Sequence, residues 1–369
     1  MFTSQIIARE TFVDIFKGSH IPLLRHCWYV AAWSHEVPIG KLHGLTIIGQ
    51  PILVYRKQDG SLVAMADQCC HRHAPLSRGR LEGDDVRCMY HGLKFNTEGR
   101  CIEIPGQNDI SDRFCVRTYA VRESDGWIWV WMDTQQTADV ALIPSATGPD
   151  DPRYHMRSGF LDYQANYLMV NDNLTDFSHI AFVHENTLAA GNKDTALLQP
   201  RVQVLERGIR VSRWNRNQCS RTKDAQHPFN DNFMTYDFLV PGVLLMYSGN
   251  YPVGTAEACH LEAPGEREPI SATFTSQAVT PLTANTTRYY YCWGPRQVDH
   301  DKSPQLIEVL WDLANAAFNE DRAMIEAQQR NVDLHTGAPT HSITHDRGPT
   351  MMRRIIERLH AAEAAVVEP

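Results

Sequence analysis

Two clusters of cysteine, histidine and carboxylate side chains stand out in the 369-residue sequence. The first is Cys69-x-His71 followed, after sixteen residues, by Cys88-x-x-His91. Each half is a short loop that can aim one thiolate and one imidazole at a common point. The intervening segment carries the Gly and Asp residues of a hairpin that brings the halves together. Two Cys with two His suit either a closed tetrahedral zinc site or a [2Fe–2S] cluster in which two His replace two Cys on one iron. A zinc finger of the Cys2His2 type groups both Cys in one pair and both His in the other. Here each pair is mixed, which favours the iron–sulfur cluster.

The second cluster is Asp172, Asp176, His179 and His184. On an ideal helix Asp176 and His179 lie about 60° apart around the axis, whereas His184 lies about 140° from His179. For both imidazoles to reach one metal, the helix must end or bulge between them. A third ligand is expected on a helix over residues 303–330. There Leu306, Val309, Leu310, Leu313, Ala317 and Met324 form an apolar stripe, with Glu308, Asp312, Asn315, Arg322 and Glu326 opposite. Glu320 and Asp321 fall at its two edges, and the wheel alone does not choose between them. Two His and one carboxylate make the facial triad of non-haem Fe(II) oxygenases, with positions left open for O₂.

The elements that position these residues differ between the two halves. From Trp28 to Trp131 the sequence is a succession of short β-rich runs, including Leu45 to Tyr55, Ser61 to Ala66 and Gly126 to Trp131. Residues 136–158 read as a linker or edge loop rich in Pro, Gly and Asp. The second half opens with a helix-like segment over 164–184. It continues with β-rich runs at 201–213, 236–247, 270–279 and 286–293, the first turning at Glu206-Arg207-Gly208. The polar stretch 215–232 reads as a surface loop. Ser303-Pro304 predicts a capped start for the helix to about Arg330, and 349–365 reads as an amphipathic docking helix. The expected class is α+β: an all-β N-terminal domain over 25–135, then a domain over 136–369 with an antiparallel sheet flanked by helices, against which residues 1–24 pack.

Composition narrows the function. Lys and Arg total 35 against 43 for Asp and Glu, a net charge of −8, which argues against a nucleic-acid or anionic-membrane binder. Apolar residues at 43% are sufficient for real cores. Nine cysteines are too few for a disulfide scaffold of this length. Neither a signal-peptide core nor an 18-residue apolar run occurs, so a cytoplasmic setting is expected.

The C-x-H…C-x-x-H-G motif, with Ala74-Pro75-Leu76-Ser77, Gly79 and Tyr90-His91-Gly92-Leu93, resembles the Rieske family. Asp172-Asn173-Leu174-x-Asp176-x-x-His179-x-x-x-x-His184, followed by Glu320-Asp321 and Glu326, is similar to the catalytic domain of Rieske non-haem iron oxygenases. The chain looks closest to the oxygenase components of vanillate and dicamba O-demethylases. The resemblance implies Cys69 and Cys88 on one iron of a [2Fe–2S] cluster, His71 and His91 on the other, and His179, His184 and Asp321 on a mononuclear Fe(II). It also implies Asp176 as the acid that bridges the catalytic iron to a cluster histidine of a neighbouring subunit. Cys70 and His73 depart from the family pattern, and either is an alternative ligand, although strand-like alternation points Cys70 away from Cys69 and His71.

A head-to-tail homotrimer is implied, with electrons from a separate NAD(P)H-dependent reductase, with or without a ferredoxin, because no dinucleotide-binding fingerprint is present. The expected reaction is hydroxylation of an aromatic substrate with O₂, the favoured case being O-demethylation of a methoxyaromatic acid. Ring cis-dihydroxylation is one alternative, and a zinc-stabilised binding protein without chemistry is another. Tyr247, Trp293, Trp311 and Phe318 are each expected in either the pocket or the core.

Overall fold

The computed structural model describes residues 21–133, 135–189, 198–219, 228–335 and 339–367. The expectation for residues 1–20 lies outside them, but Leu24 is buried in the main core. In the N-terminal part, three small antiparallel sheets form. Strands β1 (Trp28–Trp33), β2 (Leu42–Ile47), β3 (Gln50–Arg56) and β4 (Leu62–Ala66) are followed by β5 (Arg80–Glu82), β6 (Asp85–Arg87), β7 (Lys94–Phe95) and β8 (Cys101–Glu103). Then come β9 (Thr118–Tyr119), β10 (Val121–Ser124) and β11 (Trp127–Trp131). The sheet orders are β1-β11-β10, β2-β3-β4-β9 and β5-β6-β7-β8. Strand β11 is buried on both faces because its residues alternate between two cores. Trp127, Trp129 and Trp131 pack with Trp28, Trp33 and Tyr290, while Ile128 and Val130 face the main core.

The C-terminal part is a seven-stranded antiparallel sheet: β12 (Arg157–Tyr163), β13 (Arg201–Leu205), β14 (Gly208–Cys219), β15 (Phe229–Leu239), β16 (Val243–Tyr251), β17 (Ser271–Pro281) and β18 (Thr287–Pro295), in the order β12-β18-β17-β16-β15-β14-β13. Its helices are α1 (Tyr167–Thr175), α2 (Ile180–Val183), α3 (Thr255–Ala258), α4 (Gln297–Lys302), α5 (Leu306–Leu334) and α6 (Arg347–Val367). The α+β class therefore holds. The two parts are joined by buried hydrogen bonds from Tyr290 Oη to the Ala31 carbonyl (2.5 Å) and from Thr280 Oγ1 to the Val30 carbonyl (2.7 Å). Among the described residues no helix is long and apolar enough to cross a membrane.

Four expectations need correction. The run 236–247 is a hairpin, turning at Val240-Pro241-Gly242 where proline and glycine interrupt the ladder. The polar stretch 215–232 is strand on both sides, since β14 reaches Cys219 and β15 starts at Phe229; residues 220–227 lie outside the described set. Asn215, Asn230 and Asn232 line a cavity on the inward face, so the inward positions are polar and alternation of hydropathy is absent. The segment 136–158 is more than an edge loop. Ala146 and Thr147 are buried, and the Thr147 carbonyl accepts from Ser276 Oγ at 2.8 Å. Finally, Ser303 ends α4, and α5 begins at Leu306 without a side-chain cap.

Candidate metal centres and the catalytic-domain cavity

The first constellation sits on two loops built alike. Cys69 N–H donates to the Ala74 carbonyl and His73 N–H to the Cys69 carbonyl, both at 2.9 Å. In the second loop, Cys88 N–H donates to Leu93 O (2.8 Å) and Gly92 N–H to Cys88 O (3.0 Å). His73 and Gly92 occupy equivalent positions, with φ of 57° and 78°. Glycine accepts this left-handed conformation freely and histidine at a cost. At position 92 glycine is also required by space, because a Cβ would lie 2.8 Å from Pro105. Arg87 ties down the second loop, donating to the Gly92 carbonyl (2.7 Å) while pairing with Glu82 and Glu103.

The loops bury Cys69 and Cys88 side by side and leave the imidazoles of His71 and His91 exposed, with ring centroids 4.6 Å apart. Burial pushes the Cys69 thiol up to about 12, with the neighbouring Cys88 adding to it. Loading a metal group must therefore displace its proton. Two buried thiols opposite two surface imidazoles form the donor set of a mixed-ligand [2Fe–2S] cluster. Cys70 is half-buried against the core beneath these loops, and His73 is exposed at its strained corner.

The second constellation lies where the helical segment breaks. Helix α1 ends at Thr175, Asp176 is extended (φ −132°, ψ 108°), and a 3₁₀ turn over Phe177–His179 leads into α2, which His184 caps. The break thus falls ahead of both histidines, and the single α-helical turn of α2 between them leaves the rings 5.3 Å apart. The Asp176 carboxylate accepts from Ser178 N (2.8 Å) and Ser178 Oγ (2.9 Å), and its backbone carbonyl accepts from His179 Nδ1 at 2.6 Å. A carbonyl can only accept, so Nδ1 of His179 carries the proton and Nε2 is free to ligate. Asp172 turns away and pairs with Arg353 of α6.

Helix α5 supplies the acid. Its buried stripe is Ile307, Ala314, Ala317, Phe318, Asp321, Ile325 and Gln329, whereas Val309 and Met324 are 57% and 56% exposed, contrary to the expected apolar face. The stripe is rotated because the helix buries its functional acid rather than its most hydropathic edge. Asp321 Oδ1 is 3.1 Å from His184 Nε2 and 3.5 Å from His179 Nε2. Glu320 instead sits behind His184, with Oε2 2.8 Å from Nδ1 and a further bond from Thr187 Oγ1 at 2.7 Å.

His179, His184 and Asp321 each offer one ligand atom, all within 4.8 Å of one another, and this is a set that fits a divalent metal. Burial pulls His179 below the usual histidine range. In His184 burial acts the same way but is outweighed by Asp321 and Glu320, so its affinity for a proton rises. Asn173, part of the quoted motif but given no role from sequence, donates to Asp321 Oδ1 at 3.0 Å and fixes that carboxylate.

A cavity of about 210 Å³ opens onto these three residues. Its sheet wall is ordered in cross-strand rows: Asn215–Asn232–Asn250–Ser271, then Arg213–Met234–Ser248–Thr273, then Tyr236–Met246–Thr275–Trp293. In the first row each amide donates to the next residue, Asn215 to Asn232 (3.2 Å), Asn232 to Asn250 (3.0 Å) and Asn250 to Ser271 Oγ (3.0 Å). Of the four aromatics left undecided, Trp293 and Phe318 line the cavity, and Tyr247 and Trp311 do not.

Known proteins give the same picture. Residues 27–120 match the Rieske [2Fe-2S] domain, and residues 163–362 match the vanillate O-demethylase oxygenase C-terminal domain. The chain is 38% identical over 355 residues to the toluene-4-sulfonate monooxygenase system iron-sulfur subunit of Comamonas testosteroni, covering 94% of this chain and 99% of that one. It is 29% identical over 347 residues to the vanillate O-demethylase oxygenase subunit of Pseudomonas sp. (strain HR199), covering 92% and 95%. The crystal structure of dicamba monooxygenase bound to dicamba superposes with a TM-score of 0.80 at 28% identity, over 92% of this chain and 98% of that one. With a Rieske [2Fe–2S] domain, a His/His/Asp site fit for non-haem iron and these relatives, the chain belongs to the Rieske non-haem iron oxygenases, as an oxygenase component.

Proposed function

We propose that this oxygenase component hydroxylates the O-methyl group of a methoxyaromatic acid. The hemiacetal so formed collapses to a phenol and formaldehyde, with one O₂ and one NADH consumed through the reductase and one water released. The observation that carries the proposal is the cavity opening onto His179, His184 and Asp321 within a domain of the vanillate O-demethylase type. Those three residues would hold the catalytic iron. Cys69 and Cys88 would hold one cluster iron and His71 and His91 the other. When bound, the iron activates O₂ and the cluster passes it electrons one at a time.

The chain's own residues orient and shield. The Asp176 carbonyl and the Glu320 carboxylate fix the two imidazoles, each with its proton on Nδ1, and Asn173 holds Asp321. Phe318, Trp293, Met234 and Met246 line the cavity and limit the water beside the reacting methyl group. Asp176 is the acid through which the site reaches a cluster histidine of a neighbouring copy in a head-to-tail trimer. The exposure of His71 and His91 supports that docking. Nine free cysteines support a reducing, cytoplasmic setting.

The test is reconstitution with a reductase, NADH and methoxyaromatic acids, with formaldehyde expected in step with NADH consumed. Absence of formaldehyde from every acid would overturn demethylation. A second outcome, a benzylic alcohol from a ring-methylated sulfonate, is favoured by the 38% identity to the toluene-4-sulfonate enzyme subunit. A cis-diol would mark ring dihydroxylation.

A further inference from the structure

The cavity wall contains one full positive charge, that of Arg213, which makes no ion pair among the described residues. Arg213 of β14 lines the cavity, and its Nε is shut off from solvent with no hydrogen-bond partner. Among the described residues, no carboxylate lies within ion-pair distance of its guanidinium. Arg87, Arg288 and Arg296, by contrast, are matched: Arg87 grips Glu82 and Glu103, Arg288 grips Asp162, and Arg296 grips Asp299. Around Arg213 stand the Phe177 ring, 5.8 Å from the guanidinium carbon, and Tyr236; the Asp176 carboxylate acts on it through space only, its oxygens being held by Ser178. A charge taken from water is retained only where a partner offsets its lost hydration. Apart from the metal-site residues and Cys219, the other described residues lining this cavity are neutral.

We propose that Arg213 is the specificity anchor of the cavity, holding the carboxylate or sulfonate of an aromatic substrate while the rest of the ring faces His179, His184 and Asp321. This rests on the oxygenase reading above but is separable from demethylation. A guanidinium presents a planar fork of donors that matches either anion. Two residues along the strand, Asn215 Oδ1 is a buried acceptor without a partner, which disfavours an anion in that row and leaves the Arg213 row to receive it. The other unpartnered donor of the wall, Trp293 Nε1, is neutral and does not distinguish an anion from an amide.

The experiment measures calorimetric binding of 4-methoxybenzoate, 4-methoxybenzenesulfonate and neutral 4-methoxybenzamide to the full-length, iron-loaded protein and to Arg213→Met and Arg213→Lys. In the unaltered protein, at least one anion binds at least tenfold tighter than the amide, and comparison of the two anions identifies the acid group. Arg213→Met removes that preference while amide binding stays within twofold, which also reports an intact cavity. Arg213→Lys keeps part of the preference. The proposal is overturned if neither anion is preferred over the amide in the unaltered protein, or if Arg213→Met retains the preference. Formaldehyde from the amide without any anion preference would sink the anchor and leave demethylation standing. Anion binding through Arg213 with no formaldehyde would do the reverse.

Discussion

Glu320 and Asp321, neighbours on α5, address opposite nitrogens of one imidazole: Glu320 Oε2 meets His184 Nδ1 at 2.8 Å and Asp321 Oδ1 lies 3.1 Å from Nε2. Adjacent helical residues point about 100° apart, so the ring of His184 inserts between them. Their exposures, 34% for Glu320 and 8% for Asp321, fit an orienting group at the rim and a ligand within. Asp321→Ala should lose iron on gel filtration. Glu320→Ala should keep a site whose affinity, measured by chelator competition, falls about 10–100-fold.

Asp176 both ends α1 and starts the turn that bears His179. Replacing it with alanine removes a cap worth about 1 kcal/mol and with it some order in the turn. Asp176→Asn is the cleaner variant. It should retain the cluster spectrum and full iron content yet lose about 100-fold or more in turnover, with reduction of the cluster unimpaired. Full turnover would remove the bridging role.

At the corner of the first cluster loop, His73 takes a conformation that glycine accepts more cheaply. His73→Gly should raise stability by about 1 kcal/mol in thermal or urea unfolding, offset in part by the freer unfolded chain. It should leave the visible and paramagnetic signatures of the cluster unchanged, as should Cys70→Ser. A changed signature in either would make that residue a ligand.

Asp231 is buried, and its carboxylate accepts from the backbone N–H groups of Asn217 (2.9 Å), Gly254 (2.9 Å) and Ala256 (3.0 Å). It thereby pins the irregular end of β14 and the start of α3 to β15, beside the row of asparagines. Asp231→Ala strands three donors and should cost about 3 kcal/mol in urea unfolding.

Acid should loosen the second cluster loop late. Arg87 and then Arg80 hold the Glu82 carboxyl down to about 2 from its ordinary 4.5. A lowered carboxyl adds stability above its unfolded value and gives it up as pH falls toward the folded one. The contribution of Glu82 is therefore complete above pH 5 and lost between about 4.5 and 2. Glu82→Gln should flatten the pH dependence of the melting temperature across that window and leave it unchanged in shape above it.

The two Cys–His pairs were legible as candidates because each sits on one short loop, so their spacing brings each thiol near its imidazole. His179 and His184 were legible as a pair from their nearness in sequence, but the break that presents them falls at Asp176, ahead of both, and not between them. Asp321 was not separable from Glu320 by the wheel. A hydropathy stripe places Val309 and Met324 inside, whereas the helix is rotated to bury an acid among its metal partners. The cavity wall was least legible. Arg213, Asn215, Asn232 and Asn250 belong to three strands, and only their register makes them neighbours. A polar run at 215–232 also reads as a loop when its inward face is itself polar.

The ordered rows of that wall turn the sheet into a pegboard with two independent spacings. Moving a side chain two places along a strand shifts it by about 6.8 Å, and moving it to the facing residue of the next strand shifts it by about 5 Å, on the same face in both cases. Substrate length and substrate width are then set by different swaps: transferring the cation from position 213 to 215 changes the reach to the iron, and transferring it to position 234 changes the lateral offset. New substrates become accessible by exchanging pegs, with the loops and the metal ligands left as they are.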